Sequence, residues 1–143
     1  MTYTQLQLDK QVCHRLYMAS NALIRAYRPL LDALDLTYPQ YVVMMALWQQ
    51  DDITIQTLLD KTAIDGGAMT LILKKMQVKE YLQIAASDED KRRKVVKLTP
   101  KGSALAHQAQ TIPKQIQCAF PSISPDDISQ LIQLLDKVCH DLK

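Results

Sequence analysis

Residues 53–99, ITIQTLLDKTAIDGGAMTLILKKMQVKEYLQIAASDEDKRRKVVKLT, decide how this chain is read. Asp51, Asp52 and Thr54 supply a turn and a cap, and IQTLLDKT opens a short helix behind them. After Ala63 and Ile64, Asp65 is a good N-cap for a second helix from Gly66 to about Glu80. Met69, Ile72, Leu73 and Met76 recur along it at helical spacing and mark its buried face. Two short helices with this break form a helix-turn-helix pattern. YLQIAA and KVVKLT then read as strands of a hairpin, separated by the Gly-free loop SDEDKRR. Two helices followed by a hairpin is the order of a winged helix-turn-helix.

Charge gives this stretch a working role. Lys61 to Lys101 holds ten Lys or Arg and five Asp or Glu, a local net of +5, whereas the whole chain carries +2, so the remainder sums to −3. A basic segment on a mildly acidic body suits phosphate binding, since Lys and Arg gain affinity by releasing counterions from a nucleic acid. The plainer alternative is a solvated charged face. On the second helix Thr70, Lys74, Gln77 and, nearer the side, Lys75 are expected opposite the buried face, as the surface that reads a DNA groove. Gly66 and Gly67 would let that helix's N-terminus approach a phosphate.

The rest of the chain frames this reader. Three glycines and long helix-compatible segments predict a mainly α class, and 143 residues suffice for one domain with a real core. From about 5 to 35 a helix is expected, with Cys13, Tyr17, Ser20, Ile24, Tyr27 and Leu31 stepping alternately by 4 and 3 onto one stripe. Thr37, Pro39 and Gln40 form a capping box for a core helix running through YVVMMALW to Gln50. Thr99 and Pro100 open the next helix, with a kink expected at Pro113. Ser124 and Pro125 start the last one, amphipathic through Ile128, Leu131, Ile132, Leu135 and Val138. These terminal helices, about 5–35 and 100–143, carry more apolar surface than one small core absorbs. A homodimer is the natural sink.

Other classes find no support. The longest apolar run, Tyr41 to Trp48, is far short of the roughly 20 residues a membrane span needs. MTYTQLQLDKQ lacks a basic region followed by an apolar core, so a cytoplasmic location is expected. Cys13, Cys118 and Cys139 form neither CxxC pairs nor a secreted disulfide framework, and His14, His107 and His140 show no ligand spacing. No metal and no organic cofactor is expected, and no enzyme.

LTYPQYVVMMALW, then the helix-turn-helix, then SDEDKRRKVVKLTPKG resembles the MarR family of dimeric winged-helix repressors over nearly the whole chain. Asp90, Lys91 and Arg92, followed by Leu98, Thr99 and Gly102, look like its wing signature. Within the family the chain is most similar to organic hydroperoxide sensors of the OhrR type, two-cysteine class. That resemblance implies that Cys13 is the peroxide-reactive thiol, that Tyr17, Tyr27 and Tyr38 line its pocket, and that Cys118 resolves it as a disulfide. It also implies that Gly66, Ala68, Thr70, Lys74, Lys75, Asp90, Lys91, Arg92 and Arg93 form the contact surface for a pseudo-palindromic double-stranded operator. Departures from the pattern are Gly66 and Ala68 where small hydroxyl residues are usual, Ile84 to Ala86 where basic ones are, and Glu80 in place of Gly.

The residues themselves set limits on that chemistry. Tyr17 is one turn from Cys13, but Tyr27 lies 14 residues on, roughly 21 Å along a straight helix. Tyr27 could therefore serve only a partner subunit's Cys13, with the first helices antiparallel. The same geometry suggests that the Cys13 to Cys118 disulfide implied by the resemblance would join Cys13 of one subunit to Cys118 of the other. Three alternatives stay open: a repressor released by a small phenolic or apolar ligand with Cys13 unreactive, a thiol peroxidase, and a protein-binding adaptor.

Overall fold

The computed structural model describes residues 3–143 and divides into two compact units, one ending at Thr111 and one spanning Ile112–Lys143. The first unit begins with two 3-10 turns, Thr4–Leu6 and Leu8–Lys10, before helix α1, Val12–Asp32. The sequence expectation of a helix from about residue 5 is thereby corrected. Gln11 donates its side-chain amide to the carbonyls of Gln5 and Gln7, both at 2.9 Å, and Arg15 donates to the Asp9 carbonyl. These side-chain bonds satisfy backbone acceptors that a helix would otherwise use, and they fold the segment into turns. Pro29 lies inside α1.

α1 stops where Leu34 and Leu36 both return amide bonds to the Leu31 carbonyl and Asp35 takes a left-handed φ of 54°. Helix α2, Tyr38–Gln49, starts on the expected capping box: Gln40 N–H donates to Thr37 Oγ1 and Thr37 N–H to Gln40 Oε1. Tyr41, Val43, Met44 and Leu47 are buried, which makes α2 the core helix around which the unit packs.

The reader follows as strand β1, Ile53–Thr54, helix α3, Ile55–Thr62, helix α4, Gly66–Val78, strand β2, Leu82–Ala86, and strand β3, Lys94–Leu98. These elements run from Ile53 to Leu98. β3 lies between its neighbours, antiparallel to both, with Ile53 opposite Val96 and Leu82 opposite Leu98. Leu58, Met69, Leu73, Met76, Leu82 and Val96 are buried, so the helices and hairpin share the α2 core. Each such side chain contributes about 1.5–3 kcal/mol of transfer free energy. Helix α5, Pro100–Ala109, is capped by Thr99 Oγ1, which accepts from Gly102 N–H at 3.0 Å.

In the second unit, helix α6, Ile112–Cys118, precedes helix α7, Pro125–Asp141. The kink expected at Pro113 is instead a helix boundary. α5 ends at Ala109, and Pro113 sits in the first turn of α6, where its missing N–H costs nothing. α7 opens on a reciprocal Ser124 and Asp127 capping box, and its stripe leaves Leu131, Ile132 and Val138 exposed. Among the described residues no helix is long and apolar enough to cross a membrane.

Candidate functional site

The helix-turn-helix is set by its caps. Thr54 Oγ1 accepts from Thr57 N–H at 3.1 Å to start α3, and Ala63, left-handed at φ 57°, ends it. Asp65 then starts α4: one carboxylate oxygen accepts from Gly67 N–H at 3.1 Å and from Ala68 N–H at 3.4 Å. This counts against a phosphate at the helix N-terminus, because the donors are taken and a negative charge sits on them. Beside Gly66 there is open space, and a Cβ on Gly67 would meet only Asp65 Oδ2 at 3.2 Å. Thr70 donates its hydroxyl hydrogen to the Gly66 carbonyl at 3.0 Å, which leaves the oxygen as an acceptor for an outside group.

Gly66, Ala68, Thr70, Lys74, Lys75 and Gln77 are all exposed. Residues advance by about 100° around a helix. On that geometry the line diametrically opposite the buried Met69, Leu73 and Met76 runs through Gly67, Leu71, Lys74 and Val78. Thr70 and Gln77 sit to one side of it. Leu71 is 63% exposed and Val78 81%, and the sequence reading missed both. The 100° step of a helix, applied to the sequence, places both on that line.

Beside α4 the hairpin carries the cations. Arg92 N–H donates to Asp90 Oδ1 at 3.0 Å, its guanidinium Nε lies 3.4 Å from the same oxygen, and Arg93 N–H donates to the Asp90 carbonyl. Asp90 therefore shapes the turn rather than offering a contact to phosphate, which its charge would repel. Lys91, Arg92, Arg93 and Lys94 are exposed around it, Arg92 with 93% of its side chain in solvent. At the base of the hairpin Asp51 Oδ1 accepts from Leu98 N–H at 2.9 Å. A cleft of about 280 Å³ runs between Thr54–Thr57 and Arg93–Lys94.

Cys13, Cys118 and Cys139 are free thiols, all exposed. Tyr17 is 66% exposed on α1 and stacks loosely on His14, with centroids 6.4 Å apart. Tyr27 and Tyr38 do meet, at 5.0 Å between centroids, and both lie near Tyr41. Tyr41, read from sequence as core, is buried and so belongs to both the core and the ring cluster. Tyr17 does not join that cluster in this chain. Burial, followed by the neighbouring Tyr38 and Tyr41 phenols, pushes Tyr27 up to about 12, so its hydroxyl stays a donor throughout the neutral range. A second cleft, of about 240 Å³, adjoins the cluster and is lined by Ile24, Arg28, Leu31, Asp32, Leu36, Thr37, Tyr38 and Pro39, so the Arg28 cation shares it with the Asp32 carboxylate. No group of three or more His, Cys, Asp or Glu that could hold a metal occurs among the described residues.

A solvent-facing helix held on a shorter one, next to a cationic hairpin, is the winged helix-turn-helix arrangement. Residues 36–94 match the model described as the MarR family. The chain is 33% identical to an organic hydroperoxide resistance transcriptional regulator of Bacillus subtilis, covering 90% of this chain and 87% of that one. It is 31% identical to the regulator SarZ of Staphylococcus aureus over 90% of this chain and 86% of the other. Among solved structures, Bordetella bronchiseptica BpsR, described as regulated in its DNA binding by 6-hydroxynicotinic acid, superposes with a TM-score of 0.85 at 26% identity, over 93% of this chain and 96% of that one. A MarR variant from E. coli in complex with operator DNA gives 0.80 at 26% identity, over 89% and 92%. The chain belongs to the MarR family.

Proposed function

We propose that this regulator is a homodimeric repressor that binds a pseudo-palindromic operator and releases it when an organic hydroperoxide oxidises Cys13. α4 enters the major groove through Thr70, Lys74 and Lys75, with Gly66 and Ala68 keeping its opening turn slim. The wing brings Lys91, Arg92 and Arg93 to the backbone or minor groove, held in place by Asp90.

The observation that carries the sensing half is the split of the tyrosines. Cys13 and Tyr17 stand exposed at one end of α1, while Tyr27 and Tyr38 cluster at the other. Two antiparallel copies of α1 would bring one subunit's Tyr27 and Tyr38 to the partner's Cys13 and cover the apolar face on which both stand. Phenol hydroxyls there can stabilise a thiolate by hydrogen bonding, and their rings suit an organic peroxide. The thiolate attacks the peroxide's outer oxygen to give a sulfenic acid, and the alcohol leaves. Cys118 then condenses with the sulfenic acid, forming a disulfide and releasing water. A disulfide that changes the spacing of the two α4 helices abolishes binding, because both must dock one turn apart at once.

The test is a gel shift on a promoter fragment with and without cumene hydroperoxide, beside a non-reducing gel. Wild type is expected to release DNA as a disulfide-linked species appears, and Cys13→Ser to stay bound. Release by oxidised Cys13→Ser would sink the sensor assignment. Linked species persisting in Cys118→Ser would transfer the resolving role to Cys139.

A second reading is favoured by the cleft at Ile24, Arg28 and Tyr38. A small aromatic acid, of the kind named for the BpsR relative, could pair with Arg28 there and release DNA without cysteine chemistry. Release of Cys13→Ser by 6-hydroxynicotinate under reducing conditions would favour it.

A further inference from the structure

We infer that Leu71 is a specificity-determining residue that reads the 5-methyl group of a thymine on the floor of the major groove. The inference rests on the DNA-binding reading above and gives it a chemical preference. Gly67, Leu71, Lys74 and Val78 form the outermost line of α4, and the first of them has no side chain. The opening turn can therefore approach the base edges closely, and Leu71, one turn on, is the first large group to arrive. A lone exposed leucine is ordinary. Here it stands on a helix with no Asp or Glu from Gly66 to Val78, flanked by Lys74 and Lys75, beside a hairpin bearing Lys91 to Lys94. That surroundings favour a polyanion, and the polyanion must also present an apolar spot.

Duplex DNA meets both demands. Among the four bases only thymine offers a methyl group in the major groove, and apolar side chains are its usual readers. Thr70 and Gln77, the polar candidates for base-edge hydrogen bonds, lie off the central line. Thr70 has also committed its hydroxyl hydrogen to Gly66. Apolar contact from Leu71 thus supplies discrimination that the opening turn, with Gly66, Gly67 and Ala68, does not supply by hydrogen bonding.

The test isolates the methyl group. Duplexes selected from a random library on the reduced wild-type dimer are remade with each thymine replaced in turn by deoxyuridine, which lacks only that methyl. Wild type is expected to lose about fourfold in affinity for the sensitive position of each half-site, the worth of one buried carbon. Leu71→Ala, at an exposed helical position where Ala is well tolerated, should bind more weakly and be indifferent to the same replacement. Leu71→Val, retaining apolar contact, should keep part of the sensitivity. Uracil sensitivity that is equal in wild type and Leu71→Ala, or absent at every position, overturns the assignment while leaving DNA binding intact. Failure of the reduced wild type to select any duplex overturns the DNA-binding reading itself, and this one with it.

Discussion

The ammonium of Lys79, the C-cap residue of α4, donates to Gln40 Oε1 at 2.8 Å and to the Asp35 carbonyl at 2.7 Å. Gln40 is only 3% exposed and belongs to the capping box of α2, two residues after Tyr38 of the tyrosine cluster. One cation thus ties the end of the proposed reading helix to the start of the core helix. Losing a charged donor to a buried amide oxygen costs about 1–3 kcal/mol. Lys79→Met keeps the aliphatic stem and should lower stability by that amount in urea unfolding. In a double-mutant cycle with Gln40→Met a coupling of at least about 0.5 kcal/mol is expected. Additive losses would show the contact to be screened by solvent.

Glu80 follows Lys79 in a left-handed conformation, with φ 65°, while Tyr81 N–H returns to the Met76 carbonyl at 3.1 Å. This is the helix-ending position where Gly carries no steric penalty and a residue with a Cβ does. Glu80→Gly should stabilise the fold by about 0.5–1 kcal/mol and raise the melting temperature by a few degrees. Glu80→Ala should give none of this gain, since it removes the charge and keeps the Cβ. Equal stabilisation by both would mean that charge, not backbone, governs the site.

These two positions show why some of the molecule is legible in sequence and some is not. Helix starts at Thr54, Asp65, Thr99 and Ser124 are readable because a cap is a contact within three residues. The two-residue β1 is not, because it exists only through pairing with β3. α1 begins late for a reason in the side chain of Gln11, not in periodicity. Gly102 is flagged by the wing signature, but its cause is spatial: a Cβ there would strike the Tyr81 carbonyl oxygen. Leu71 does not stand out in sequence, because an apolar residue on a helix suits a core as readily as a surface. The thiols and tyrosines can be listed from sequence, yet that Tyr27 meets Tyr38 while Tyr17 stacks on His14 is a matter of packing between and along helices.

Tyr27 supplies a pH-dependent signature. Its phenol is pushed from an ordinary 10.0 up to about 12, first by burial and then by Tyr38 and Tyr41. A raised value means that the folded state disfavours tyrosinate. Its contribution to stability is therefore complete below pH 10 and lost as pH rises through about 12. Burial also raises Tyr41 and Tyr81, so ultraviolet titration of tyrosinate should show a late-ionising set whose last member disappears in Tyr27→Phe. The variant should also lose less stability on going alkaline. Ordinary titration of every tyrosine in the folded wild type would contradict the packing of the cluster.

Arg92 and Leu71 should separate under salt. Arg92 has 93% of its side chain in solvent, and Asp90, which its Nε approaches at 3.4 Å, orients it without burying it. Such a cation can release a counterion when it meets a phosphate, and each phosphate contact adds about 0.9 to the slope of log affinity against log salt. With one wing per subunit, Arg92→Ala should reduce that slope by about 2 for the dimer and weaken selected and random duplexes alike. Leu71→Ala should weaken only the selected duplex and leave the slope unchanged, since a methyl contact displaces no ion. An unchanged slope in Arg92→Ala would remove the wing tip from the interface and leave Lys74 and Lys75 as the sources of the electrostatic term.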